Sequence, residues 1–311
     1  EFGSGSCYIS DDSEPRTATQ VVPASPDLSL KFEILDGITG NIIVKESDSY
    51  ADHAIRIKST IRASSTSLLD QIQTSYDSSS VRSAHSWIHI KDSNDKEAKK
   101  RLLRGNCARS DVEIIYPRSF PGTGKLQLSA TNGKFNINMN NHTDSWGPVL
   151  TSFEELQMGL TNGEVNVDGV VVSKKLLMEV ANGHIMGNVK SAGKVVAQII
   201  NGPVDLEIDS TPRRDDWDAN NLHVAINTVN GRIGLYLVKR FLGHFSFSAT
   251  IGTPTIRLAS SSKDIIKFTA RSGHEVKGWI SVDQNEPDAL SKLDLTTVNG
   301  NILVEVETLK K

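Results

Sequence analysis

Apolar and polar residues alternate along most of this chain, and the alternation turns at regularly spaced asparagine–glycine pairs. The corners are Asn132-Gly133, Asn162-Gly163, Asn182-Gly183, Asn201-Gly202, Asn230-Gly231 and Asn299-Gly300, with Ile251-Gly252 and Ser272-Gly273 as variant copies. Two, four and six residues before the asparagine stand Ala130, Leu128 and Leu126 in the first copy, and Thr297, Leu295 and Leu293 in the last. The same count after the glycine finds Phe135, Ile137 and Met139, and then Ile302, Val304 and Val306. A period of two marks strands with one buried face. Successive glycines lie near 20 residues apart, with enlarged spacings of 30, 29 and 27. In the copy at Ser272-Gly273 the apolar set slips by one, to Val276, Gly278 and Ile280, the displacement a β-bulge produces.

The pattern predicts an all-β fold whose unit is strand, corner, strand and second turn. Two architectures share that description. Asn-Gly between alternating strands is a hairpin signal, so an antiparallel hairpin stack, sandwich or barrel is open. A β-solenoid of two-strand rungs is the other reading, and the repetition favours it. Stacked rungs keep unit length, corner chemistry and register together, and an asparagine column can hydrogen-bond from rung to rung. Over residues 30–125 the same style is less regular. "DGITGNIIVKE" resembles "TVNGNILVEVE" and makes Gly40 a corner of the same type, while "HAIRIKSTI", "HSWIHI" and "DVEIIYP" read as short strands. The charged run "KDSNDKEAKKRLLR" reads as a surface excursion or short helix. The expected organisation is a scar and flexible lead-in over 1–29, an irregular β segment capping or extending the stack over 30–125, and regular rungs over 126–311.

Composition narrows this picture only slightly. A net charge of -3 with 38% hydrophobic residues fits a folded domain and carries no nucleic-acid footprint. No apolar run reaches the roughly 20 residues of a membrane-spanning helix. The opening "EFGSGS" reads as a vector-derived scar. The two cysteines, Cys7 and Cys107, are expected as free thiols because Cys7 lies beside the scar; a disulfide between them is the alternative in an oxidising compartment. Asn141-His142-Thr143 is a glycosylation sequon, so Asn141 is a candidate glycan site.

The units "LQLSATNGKFNINM", "LQMGLTNGEVNV" and "LDLTTVNGNILVEV" resemble the rungs of the β-helical adhesin-type domains of unknown function. The resemblance covers residues 126–308 and, more faintly, 30–60. It implies an exported or surface-exposed protein without chemistry of its own, and it carries over no catalytic residues.

Candidate chemistry is sparse. "PGTGKL" lacks the first glycine and the hydroxyl residue of a phosphate loop, and reads as a turn before a strand. His85 and His89 in "HSWIHI" share one strand face at about 13 Å, too far apart for one metal. "TPRRDDWDANN" gathers acids without the glycine and distal glutamate of a calcium loop, and no second acidic cluster completes a glycosidase pair. Met139, Met158, Met178 and Met186 read as core filler. No cofactor is expected. The enlarged copies grow after the second strand, at residues 140–155, 209–221 and 281–292. Two of these loops carry a tryptophan, which makes Trp146, Asp144, Trp217, Arg213 and Asp216 the candidate binding residues. The expected function is a non-enzymatic, adhesin-like module of an exported or surface protein, binding a protein or carbohydrate through loops on one edge. The alternatives are a parallel β-helix polysaccharide lyase or hydrolase, and a self-assembling structural solenoid.

Overall fold

The computed structural model describes residues 9, 14–47, 54–80, 82–91, 107–117, 124–139, 152–191, 193–209, 222–238, 241–258, 265–281, 287 and 291–307. The described residues are almost entirely strand, as the alternation predicts, and they form two compact units. The first comprises Glu1–Thr151 with Gly159–Asn162, and the second Ser152–Met158 with Gly163–Lys311.

The first unit holds β1 (Arg16–Pro23), β2 (Ser29–Glu46), β3 (Ala54–Ala63), β4 (Ile72–Ser80), β5 (Ser83–Ile90), β6 (Ala108–Tyr116) and β7 (Lys125–Asn138). Both β2 and β7 run through a corner, and the corners stack, Thr39 on Asn132 and Gly40 on Gly133. Gly40 is therefore a corner of the expected type. Before it, β2 carries an extra turn in which Asp36 and Gly37 take φ of 56° and 75°. Ahead of the corner β2 lies parallel to β5 and β7, and beyond it parallel to β6 and β7. The outer strands are antiparallel: β4 on β5, and β3 on both β6 and β1. Residues 16–23, inside the stretch expected as a lead-in, pair with β3 along their whole length and bury Val22.

In the second unit the strands are β8 (Ser152–Ser191, whose residues 159–162 belong to the first unit), β9 (Lys194–Asn201), β10 (Val204–Asp209), β11 (His223–Asn230), β12 (Ile233–Leu237), β13 (Gly243–Ile251), β14 (Pro254–Leu258), β15 (Ile265–Arg271), β16 (Glu275–Ser281), β17 (Lys292–Asn299) and β18 (Ile302–Val306). Strands preceding a corner form one parallel ladder in the order β8, β9, β11, β17, β13. Strands following a corner form another, in the order β8, β10, β12, β18, β14. The strands flanking Asn230-Gly231 thus pair with other copies, whereas a type I′ hairpin would pair them with each other. The last copy in sequence, β17–β18, lies between the fifth and the sixth.

The two "TVNG" stretches are therefore direct neighbours, and each residue in them has its reason. Thr297 points inward and its hydroxyl donates to the Gly231 carbonyl at 3.0 Å, as Thr228 does to Gly202 at 3.3 Å. The valines point outward. The asparagines form a ladder in which Asn299 donates to Asn230, Asn230 to Asn201 and Asn201 to Asn182, at 2.6, 2.8 and 2.7 Å. Glycine is required by the stacking itself: a Cβ on Gly231 would stand 1.8 Å from the Gly202 carbonyl oxygen, and one on Gly300 would stand 2.0 Å from that of Gly231.

The cores follow the alternation. Leu293, Leu295, Ile302, Val304 and Val306 are buried, as are Leu126, Leu128, Phe135 and Ile137, while Thr296 between two of them is exposed. Met139, Met158 and Met178 are core residues; Met186 sits on the outward row beside Asp205 and is only half-buried.

Other expectations fail as well. Ser272-Gly273 is not a stacked corner but the tip of an antiparallel β15–β16 hairpin, whose β16 lies antiparallel on β13. The slipped parity belongs to that fold-back, and the bulge itself lies in β15, between Phe268 and Ala270. Ser272 closes the tip through its side chain, which accepts from the backbone N–H of His274 and Glu275. At the corners themselves Gly202 takes a φ of 140° but Gly231 takes no positive φ, so close approach rather than left-handed backbone selects glycine at 231. Finally, Cys107 is not a free thiol but is disulfide-bonded, while Cys7 lies outside the described residues.

Candidate binding surfaces

The loop residues nominated by the sequence, Asp144, Trp146, Arg213, Asp216 and Trp217, lie outside the described residues, and so does Asn141. Two other surfaces are built on strands.

The first is the outer face of β5 in the first unit. Alternation sends His85, Trp87 and His89 outward while Ala84, Ser86, Ile88 and Ile90 are buried. The three rings stand in a row, with His85 at 4.5 Å and His89 at 6.1 Å from the Trp87 ring. Both imidazoles are anchored sideways. The His89 Nδ1 faces the Ile90 carbonyl at 2.8 Å and so carries the proton of the neutral ring, leaving Nε2 to accept from Ser75 at 2.9 Å and Gln73 at 3.0 Å. His85 Nε2 lies 2.7 Å from Glu33 on the neighbouring β2. Glu33 also meets Lys31 at 2.8 Å, and its other oxygen accepts from Ser129 at 3.1 Å. Partial burial works against ionisation of Glu33, but the hydrogen bonds from Lys31, His85 and Ser129 and the Lys31 charge outweigh it and hold its titration below the ordinary 4.5. The result is a row of rings with a fixed negative group and several hydrogen-bonding side chains beside it. The histidine pair was legible in "HSWIHI"; the tryptophan between them, on the same parity, is the signal that pairing alone passes over.

The second is a groove of about 310 Å³ on the outer face of the second unit, lined by Asp205, Glu207, Gly234, Tyr236, Leu303 and Glu305. Gly234 occupies an outward position on β12, between Asp205 of β10 and Leu303 of β18. The missing side chain makes the groove, and Asp205 leans into it, with Oδ1 2.6 Å from where a Cβ would stand. Asp205 is itself held by His184 at 3.1 Å and Arg232 at 3.2 Å. Desolvation, the hydrogen bond to Glu307 and the charges of Glu307, Glu207 and Glu305 all push the Tyr236 phenol above its ordinary 10. Among the described residues no three His, Cys, Asp or Glu side chains converge to hold a metal, and no helix is long and apolar enough to cross a membrane.

No family model matches the chain, and no curated protein matches it. Solved structures do. A candidate cell adhesion protein from Clostridium sporogenes ATCC 15579 matches at 11% identity and a TM-score of 0.34, over 95% of this chain and 100% of its own. A candidate adhesin from Bacteroides fragilis NCTC 9343 matches at 11% identity and 0.32, over 94% and 97%. A candidate lipid-binding protein from Parabacteroides distasonis ATCC 8503 matches at 11% identity and 0.27, over 96% and 98%. Likenesses this distant do not say what this chain binds.

Proposed function

We propose that this chain is a non-catalytic recognition module, built as a β-solenoid and working in an exported or surface-exposed setting. The observation that carries the reading is the row of His85, Trp87 and His89 rings with Glu33 fixed beside it, and the displaced ionisable groups among the described residues agree with it. A general acid or base is tuned toward neutral pH. Here Glu33 is pushed down, while Tyr236 and the buried Tyr116 are pushed up, so each is locked further into the form it already holds at neutral pH.

The parallel ladders and the asparagine column support the solenoid, in which each coil contributes one strand to each of two faces. The bonded state of Cys107 supports an oxidising compartment, where disulfides persist. The ligand belongs to a protein or carbohydrate surface, met by the Trp87 face and by the loops carrying Trp146 and Trp217. Asp144, Arg213 and Asp216 are the polar flanks of those loops.

A panel of polysaccharides and glycoproteins, immobilised and free, tests this. The expected result is retention of the protein on at least one of them with no new reducing ends or unsaturated products. Release of products from any polysaccharide would assign the chain to the carbohydrate-active enzymes instead.

A further inference from the structure

The fold-back of β15–β16 leaves the second unit uneven at one end. The ladder of strands that precede corners continues beyond β13 through β16 to β15. The ladder of strands that follow corners stops at β14, which pairs with β18 on one side and with no described strand on the other. A step two strands deep, roughly 10 Å, therefore stands above the outer edge of β14. Its walls are apolar. Ile256 and Leu258 continue the core columns of Val304 and Val306, yet they are half-exposed where those two are buried. Phe268 lies opposite Gly278 on the core side of the hairpin, its ring 6.0 Å from that of the buried Phe245, and it is still 38% exposed. Arg271 reaches over that ring, at 5.0 Å.

We infer that this step is a strand-addition site: an extended segment of a partner polypeptide pairs with the free edge of β14 and completes the missing half-rung. An unpaired edge offers main-chain donors and acceptors that only an extended backbone satisfies. Side-chain chemistry specifies the segment further. Residues facing Ile256, Leu258 and Phe268 must be apolar at every second position. The residue beside Arg257 must be acidic, because Arg257 continues the outward column Glu207, Tyr236, Glu305 and, among the described residues, has an acidic neighbour on one side only, Glu305 at 3.7 Å. The sequences that connect into and out of the hairpin, "ASSSKD" over 259–264 and "VDQNEPDAL" over 282–290, carry no apolar alternation and do not meet this pattern, so the segment is assigned to another chain.

The β18 sequence itself has the required pattern and serves as the probe. A fluorescein-labelled peptide GNILVEVE is titrated into the full chain, with GNEEILVV, of the same composition but without alternation, as control. Expected are saturable binding at least tenfold tighter than the control, and at least tenfold slower hydrogen exchange at alternate β14 amides when the peptide is present. Phe268→Ala should weaken the peptide about fivefold or more while the melting temperature moves little, since the ring is already partly exposed. Equal binding of the two peptides, binding of neither, or β14 amides as protected in the free chain as those of β18 would overturn the assignment.

Discussion

Asn299 donates its side-chain amide to the side-chain carbonyl of Asn230 at 2.6 Å, across 69 residues of sequence. That bond belongs to a ladder that also takes in Asn201 and Asn182. A net hydrogen bond in such a setting contributes about 0.5–1.5 kcal/mol. Asn230 sits mid-ladder and loses two bonds, so Asn230→Ala should cost more than Asn299→Ala, which removes one. A double-mutant cycle on Asn230 and Asn299, read by urea denaturation, should return a coupling of about 0.5 kcal/mol or more. Strict additivity would remove the ladder from the account.

The buried face is sharply separated from the exposed one. Leu295 is fully buried and Thr296 is exposed. Leu295→Ala removes buried methyl groups and leaves a cavity, which costs about 2–5 kcal/mol, whereas Thr296→Ala should change stability by less than about 0.5 kcal/mol. Equal shifts in the denaturation midpoint would contradict the parity.

Two glycines at corner positions should behave oppositely. A Cβ at Gly231 meets the Gly202 carbonyl oxygen at 1.8 Å, while one at Gly273 meets nothing within 4 Å. Gly231→Ala should therefore lower the melting temperature strongly, since the obstacle is backbone that cannot yield without breaking the ladder. Gly273→Ala should be nearly neutral. If both are tolerated, the corners do not stack as described.

Acid should loosen the first unit before neutral or alkaline conditions do. The folded-state titration of Glu33 lies below its unfolded one, so its contribution is fully present above about pH 4.5 and is lost as pH falls through the lowered folded value. The urea midpoint should drop between about pH 5 and 3, and Glu33→Gln should flatten that drop without abolishing folding. An unchanged pH profile in the variant would show that the contacts with Lys31, His85 and Ser129 do not couple to stability.

Much of this was legible in the chain. Inward residues such as Leu128, Ile137, Leu295 and Val304 follow from parity alone, because one face of every strand is buried. Stacking order was not legible. Copies with equal spacing and equal chemistry fit any neighbour, and placing β17 between β11 and β13 depends on the intervening β15–β16 segment leaving the array. The fold-back at Ser272-Gly273 was written only as a one-residue slip, since a hairpin tip and a stacked corner both call for glycine. Trp87 was missed because the histidines were weighed as a pair, although it shares their parity on one strand face. The Gly234 groove depends on what stands on either side of β12, which a lone strand sequence does not contain.

The insertion of the last copy between the fifth and the sixth is the relationship on which both the ladder and the open step rest, and cross-linking tests it most directly. Asn227, Thr296 and Ser248 are exposed, and Thr296 pairs in register with each of the other two. Cysteines introduced pairwise at these positions can be challenged with dibromobimane, which bridges thiols on adjacent strands about 5 Å apart but not on alternate strands at about 10 Å. The account expects efficient cross-linking for 227 with 296 and for 248 with 296, and none for 227 with 248. Cross-linking of 227 with 248, and its absence at 296, would mean that the copies stack in sequence order and that the account is wrong.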